Sequence, residues 1–312
     1  MAGNVTVVGY GAVGRETIKL LADRGDKVRV AQRSHPRGLL LEAEFVPTDV
    51  LNAESVVNAC AGSGAVICCL GFPYDSRIWQ KTWPKAMANL LEACEKAKAR
   101  FIFADNLYMY GPQTAPLTED MPLTEFGRKP RVRADITRLW QEAHAQGRVQ
   151  AVAVRASDFY GPDVPTSALS AYGVKNLLAG KSAVMPYPVI FPHDLTYVPD
   201  FARALVTLLD APDEDYGQAW HVPNAPAQTY RVLIEEAAAL IGVEPKMRVI
   251  PLILLELAGL FSRQTYELIE MRFQSDRPYL VNTQKFSNRF WGDATSFEEG
   301  LSATIASYRR KS

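Results

Sequence analysis

The sequence has no excess charge of either sign: 34 lysines and arginines balance 34 aspartates and glutamates. Binding a phosphate backbone needs clustered positive charge, so the absence of any basic run argues against nucleic acid as a partner. Long apolar runs are missing too. The best candidate, Pro251 to Phe261, is interrupted by Glu256 and falls short of the roughly 20 residues a membrane-spanning helix requires. Cysteine is scarce and follows no metal-ligand spacing. Cys60, Cys68, Cys69 and Cys94 are the only four, and the central pair lies in an apolar segment, which suits free thiols packed in a core in a reducing compartment. Only Met1 to Asn4 precede the first apolar run, too few for a secretory leader. These absences predict a cytoplasmic protein with a small-molecule substrate, no nucleic-acid or membrane partner and no metal.

What is present is a 48% hydrophobic chain of 312 residues, enough for a substantial core. It is organised around its start. The β-branched run from Val5 to Val8 leads into Gly9-Tyr10-Gly11-Ala12-Val13-Gly14, and Val13, Ile18, Leu20 and Leu21 then recur at helical spacing. A Gly-x-Gly-x-x-Gly turn between a strand and a helix is the dinucleotide-binding fingerprint. Gly9 permits the tight turn, Gly11 leaves the backbone bare for a pyrophosphate, and Gly14 allows close helix packing. The helix-like run Arg15 to Asp23 that follows aims unpaired N–H groups at the phosphates, and Ala12 and Val13, inside the turn, join the glycines as expected cofactor contacts.

Further along, Asp26 to Ala31 reads as a second strand, followed by Gln32-Arg33-Ser34 where an NAD-specific site would place an acidic residue for the ribose diol. Arg33 suits a 2′-phosphate instead, which predicts NADP(H) in preference to NAD(H); the alternative is a solvated loop arginine. Strands at 44–46, 65–70, 101–104 and 149–155 alternate with helices at 53–60, 79–99 and 131–146, with Pro84 setting the expected start of the long middle helix. Continuous apolar strands separated by helices indicate an α/β fold with a Rossmann-type doubly wound parallel sheet. Beyond Pro162 the alternation fades into short strands and helices. The expected organisation is therefore a dinucleotide-binding domain over 1–162 and a smaller mixed α/β substrate region over 163–312, some of whose segments return to the sheet.

Further landmarks are Thr48-Asp49-Val50, Tyr110-Gly111, Arg155 through Tyr160-Gly161-Pro162, Asp194 through Asp200, and Arg277-Pro278-Tyr279. With the glycine turn, in this order and spacing, they resemble the extended and atypical short-chain dehydrogenase/reductase superfamily, the NAD-dependent epimerase/dehydratase group, over almost the full chain. The resemblance implies that Asp49 and Val50 face the adenine and that Leu70, Gly71 and Phe72 line the dinucleotide. It places Ala156, Ser157 and Asp158 beside the nicotinamide or substrate and puts Arg277, with His193 by analogy, in the substrate region. It also implies a homodimer formed through the helices that follow strands four and five.

The departures bear on the reaction. Asn106 stands where the family's catalytic serine usually does, and the Tyr-x-x-x-Lys pair is missing, Lys129 and Arg133 being the nearest match in spacing. Asn106 can donate a hydrogen bond but has no useful acidity. Tyr108, two residues on, is a candidate proton donor or else a pocket-wall aromatic. Arg133 could hold the ribose, depress a tyrosine pKa, or pair with Asp135 or Glu142 on its helix; Lys129 could act as an acid if desolvated. Asp158 is a candidate polar substrate contact, and Asp105 a turn cap. The leading expectation is an atypical NADP(H)-dependent oxidoreductase reducing a carbonyl in a small organic substrate. The alternatives are a nucleotide-sugar epimerase or dehydratase, and a catalytically silent NADP(H)-sensing regulator.

Overall fold

The computed structural model describes residues 4–310. The chain divides into two compact units: one comprises the chain up to Met109 with Leu123–Ala156 and Phe201–Trp220, the other Tyr110–Pro122, Ser157–Asp200 and the chain from His221 onward. The division thus departs from a single boundary at Pro162. Residues 110–122 and 157–162 belong to the second unit, and 201–220 to the first.

The first unit is built on β1 (Asn4–Val8), α1 (Ala12–Asp23), β2 (Lys27–Gln32), β3 (Ala43–Pro47), α2 (Ala53–Cys60), β4 (Ala65–Cys68), α3 (Ser76–Ala97), β5 (Arg100–Asp105), α4 (Lys129–Ala145) and β6 (Ala151–Arg155). A seventh strand, Ala219–His221, completes a sheet ordered with that strand at one edge, then β6, β5, β4, β1, β2 and β3. Neighbouring pairs among β1–β6 are parallel, with Val5 of the central strand aligned to Val28 on one side and Ala65 on the other. Every residue of β4 and β6 is buried, as expected for parallel strands covered on both faces. The order reverses between β1 and β4, and the carboxyl ends of those two strands form the topological switch point where α/β sheets bind ligands.

Helix α3 corrects one expectation. It starts at Ser76, eight residues ahead of Pro84, which lies inside it. A proline within a helix loses a backbone hydrogen bond and costs about 3 kcal/mol. The first two turns are held nonetheless by the Asp75 cap on the Arg77 N–H and by the burial of Trp79 and Trp83, whose edge-on rings also meet Tyr74, Phe72 and Phe103. Aromatic burial of this size outweighs the lost bond. Helix α1 also begins earlier than expected, at Ala12 within the glycine turn and ahead of Arg15.

In the second unit the strands are two or three residues long: Asp158–Tyr160 pairs in parallel with Leu195–Tyr197, Ala183–Met185 in parallel with Met247–Val249, and Pro192–His193 antiparallel with Gln228–Thr229. Helices Tyr230–Ile241 and Phe297–Arg309 supply Leu233, Ile234, Leu301 and Ile305 to its core. Two further helices, Leu252–Gly259 and Arg263–Glu270, form a hairpin. Among the described residues no helix is long and apolar enough to cross a membrane.

Candidate active site

The glycine turn follows β1 at the switch point. Gly9 takes φ +99°, and a Cβ there would come 2.9 Å from the Cys69 carbonyl oxygen at the end of β4. At Gly14 a Cβ would come 2.1 Å from the Gly9 carbonyl oxygen, so this glycine packs against the turn itself and no side chain fits. Gly11 differs from both: its backbone is extended and a Cβ would meet nothing within 4 Å. The first turn of α1 holds no acidic residue, and its N-cap makes no side-chain bond. An open volume over a bare Cα, facing uncapped helix N–H groups, fits a pyrophosphate.

At the end of β2, Gln32 locks the turn. Its Oε1 accepts from the Tyr10 N–H at 3.1 Å and its Nε2 donates to the Ser34 carbonyl at 2.7 Å. The Tyr10 hydroxyl in turn donates to the Gly38 carbonyl at 2.8 Å. The side chain in the ribose position is thus occupied within the protein, whereas neighbouring Arg33 is exposed and hydrogen-bonds to nothing among the described residues. Asp49 is exposed, with Oδ1 accepting from the Leu51 N–H; Val50 is buried, and its carbonyl takes the Asn89 side-chain amide at 2.9 Å. After β4 come half-buried Leu70, exposed Gly71 and half-buried Phe72. Burial pushes the Cys60 thiol up to about 11 and the Cys68 thiol up to about 12, so both stay protonated core groups.

The end of β5 carries the chemistry-bearing cluster. Asp105 is buried and holds two guanidinium groups: Arg133 hydrogen-bonds to its Oδ1, and the Arg155 Nε lies 3.5 Å from its Oδ2. Arg133 also lies over the rings of Trp83 and Phe103, with its carbon 4.4 and 4.9 Å from their centroids. It pairs therefore with neither Asp135 nor Glu142, and its side chain is 3% exposed. Asp105 Oδ1 accepts from the Asn106 N–H at 2.8 Å, and Asn106 Oδ1 from the Tyr108 N–H at 3.1 Å. This chain of bonds leaves the Asn106 Nδ2 without an acceptor among the described residues. Tyr108 is half-buried, its ring stacked on Trp79 at 6.2 Å and 14°. Lys129 is fully buried, its ammonium 4.7 Å from the Tyr74 ring centroid. Ala156 is buried, and its N–H donates to the Asp105 carbonyl.

In the second unit, Ser157 is buried and bonded at both ends, its hydroxyl to the Asp194 carbonyl at 2.5 Å and its N–H to the Thr196 hydroxyl at 3.0 Å. Asp158 keeps a side chain 37% exposed, with Oδ2 3.0 Å from the Nε2 of buried His193, whose ring packs between Tyr230 and Tyr279. Burial pushes the Asp194 carboxyl up to about 6, although its Oδ2 accepts from the Val281 N–H. Arg277 is half-buried and paired with Asp276 at 2.6 Å, which raises its pKa further.

Residues 5–222, more than two thirds of the chain, match the model of the NAD dependent epimerase/dehydratase family. The chain belongs to that family. No curated protein sequence matches it. Solved structures share the fold of this epimerase/dehydratase family member. A dTDP-glucose 4,6-dehydratase from Bacillus anthracis, in complex with NAD, aligns with TM-score 0.81 at 19% identity, over 99% of this chain and 97% of that one. A UDP-glucuronic acid 4-epimerase from Bacillus cereus, in complex with UDP-glucuronic acid and NAD, gives 0.81 at 17% over 99% and 100%. A UDP-glucose 4-epimerase from Thermus thermophilus, in complex with NAD, gives 0.79 at 18% over 98% and 99%.

Sequence reasoning misses two features of this epimerase/dehydratase family member. Spacing points to Arg33 and not to Gln32, although a long amide at the end of the strand after a glycine turn has the reach to bind the Tyr10 N–H. Asp105 reads locally as a turn cap. The available signal is Arg155 closing an otherwise apolar strand, since a buried arginine requires an acidic partner.

Proposed function

We propose that the chain is an NADP(H)-dependent oxidoreductase acting on a carbonyl, or the corresponding alcohol, of a small organic substrate. The observation that carries the reading is the contrast at the adenine end of the turn: Gln32 is held inside the protein while Arg33 stands exposed and unpartnered among the described residues. A guanidinium so placed suits a 2′-phosphate dianion through charge-assisted bonds. Gly9, Gly11, Ala12, Val13 and Gly14 would hold the pyrophosphate, with Asp49 and Val50 at the adenine and Leu70, Gly71, Phe72 and Ala156 along the dinucleotide. When bound, the dinucleotide supplies or accepts a hydride.

The protein's part is to manage the substrate oxygen. In this reading the Asn106 Nδ2 donates a hydrogen bond to the developing oxyanion and the Tyr108 hydroxyl donates the proton. Arg133 becomes a positioning residue: it fixes Asp105, which takes the Asn106 N–H, and Asn106 in turn takes the Tyr108 N–H. Asp158, backed by His193, and Arg277 are proposed as polar substrate contacts, with Ser157 shaping their strand. Cytoplasmic location and a homodimer complete the proposal.

A second reading, a nucleotide-sugar epimerase or dehydratase, is favoured by the family and by the sugar-nucleotide enzymes that share the fold. The deciding experiment is a turnover panel of aldehydes, ketones and sugar nucleotides with NADPH and NADP+, repeated with Tyr108→Phe. Loss of a general acid is expected to slow turnover about 10²- to 10⁴-fold with NADPH affinity unchanged. Unchanged turnover removes Tyr108 from the mechanism, and conversion of sugar nucleotides alone favours the second reading.

A further inference from the structure

The helical hairpin of the second unit turns its apolar residues outward. On helix Leu252–Gly259 and the residues just after it, Ile253, Leu254, Leu257, Leu260 and Phe261 stand at i, i+1, i+4, i+7 and i+8, the stripe by which a helix packs into a core. No residue of that helix is buried, and Leu260 and Phe261 are 76% and 92% exposed. The hairpin's internal contact lies on the far side: a Cβ on Gly259 would come 2.6 Å from Ile269. The second helix, Arg263–Glu270, is inverted in the same sense. It buries Glu267 in an ion pair with Arg263 and exposes Tyr266 and Leu268 on either side.

We propose that this hairpin is the interface through which two copies of the chain pair. The proposal takes up the homodimer put forward above and places its interface. Exposures of 42–92% on the eight large apolar residues from Leu252 to Leu268 leave about 900 Å² of mostly apolar surface in water, well beyond what a monomer usually shows in one patch. That area matches the ~800 Å² each partner contributes to a standard stable interface. A two-fold axis would set this stripe against the same stripe of the copy, apolar ridges in apolar grooves. Charge argues for a copy and against an anionic membrane: over 244–276 the four basic residues are outnumbered by five acidic ones, and among the described residues all but Arg248 are paired, Lys246 with Glu244, Arg263 with Glu267 and Arg272 with Glu256. The outward positions of α3 and α4, the helices through which the family resemblance implied pairing, instead carry Lys81, Lys85, Glu95, Arg131, Asp135 and Arg138, all exposed, with Ile78 the single exposed large apolar side chain among the described residues of the two helices.

The test is sedimentation equilibrium of the full chain at micromolar concentration, comparing wild type with Leu257→Glu/Phe261→Glu and with Lys85→Glu/Arg138→Glu. All four side chains are exposed, and matching thermal midpoints verify that the variants fold. Wild type is expected to be a dimer. The hairpin variant should dissociate at least a hundredfold more readily, because like charges meet across the two-fold axis, while the α3/α4 variant stays dimeric. A dimer that survives the hairpin substitutions, or dissociates only with the α3/α4 ones, overturns the interface and leaves pairing itself intact. A monomeric wild type overturns both. Flotation with phosphatidylglycerol vesicles should recover no protein; a monomer that floats assigns the patch to lipid and overturns the proposal.

Discussion

Gly11 and Gly14 make a paired test, because adding the same methyl group should do opposite things at the two positions. At Gly14 the new Cβ would lie 2.1 Å from the Gly9 carbonyl oxygen, so Gly14→Ala must move the backbone of the turn and lose at least the ~1–3 kcal/mol of an overpacked core, more if the turn cannot give. At Gly11 the backbone is extended and a Cβ has no neighbour within 4 Å, so Gly11→Ala should fold normally. The slightly poorer N-cap and the reduced freedom of the unfolded chain nearly cancel, leaving stability within about 1 kcal/mol of wild type. The same methyl group would occupy the volume where a pyrophosphate approaches the bare Cα. An overpacking penalty of about 1–3 kcal/mol there means NADPH binding about 5- to 150-fold weaker. Thermal unfolding without cofactor and fluorescence titration with NADPH separate the two effects. If Gly11→Ala binds NADPH within twofold of wild type, or unfolds as readily as Gly14→Ala, the assignment of the phosphate site to this turn is wrong.

Three further outcomes follow from named contacts. Arg33→Ala should weaken NADPH binding about 10- to 100-fold, the worth of charge-assisted bonds to a phosphate, and leave NADH binding within about twofold; equal losses for both cofactors would remove Arg33 from the 2′-phosphate. Asp105→Asn strips the counter-charge from buried Arg133 and Arg155 and should cost about 3–5 kcal/mol, roughly 5–15 °C in Tm; a shift below 2 °C would show the cluster to be solvated. For Asp194, burial raises the folded-state value from 3.8 to about 6, so between those pH values the unfolded chain has released a proton the folded chain keeps. Its contribution is therefore most favourable below about pH 4 and falls by up to about 3 kcal/mol as pH rises through 6. Asp194→Asn should match wild type in thermal melts near pH 4 and exceed it above pH 6.5, and a reversed trend would contradict the burial argument.

The first unit is legible in the sequence because its strands are short, built on apolar stretches such as Ala65–Cys68, Phe101–Ala104 and Ala151–Val154, and separated by amphipathic helices, a pattern that leaves few folds open. Helix α2 falls at the residues its periodicity indicates. Pro84 misleads because a local rule about proline meets a tertiary gain, the burial of Trp79 and Trp83, that no local window contains. The two- and three-residue strands of the second unit are too short to show a period of two, so of these sequence indicates only the one near Asp194 to Tyr197; it also indicates Ala219 to Val222, the strand that closes the first unit's sheet. At the site, the glycine turn is readable since each glycine answers a backbone requirement. The Asp105–Arg133 pair joins residues 28 apart in sequence, and its partnership depends on how β5 and α4 pack. Of the hairpin, sequence indicates both helices, over Leu252 to Leu260 and Gln264 to Arg272, and excludes a membrane span, but hydropathy counts apolar residues and does not say which way they face.

The late arrival of the sheet's last strand bears on how the protein is made. β6 ends at Arg155, and its outer neighbour, Ala219–His221, leaves the ribosome about 65 residues later. At about 5–20 residues per second, the Ala-Val-Ala-Val edge of β6 stays open for some 3–13 s of synthesis. Such an edge is a template for pairing with any other strand, and nothing on it is charged before Arg155. Slow synthesis or crowded nascent chains should therefore harm this protein through that edge, before its finished stability has any bearing.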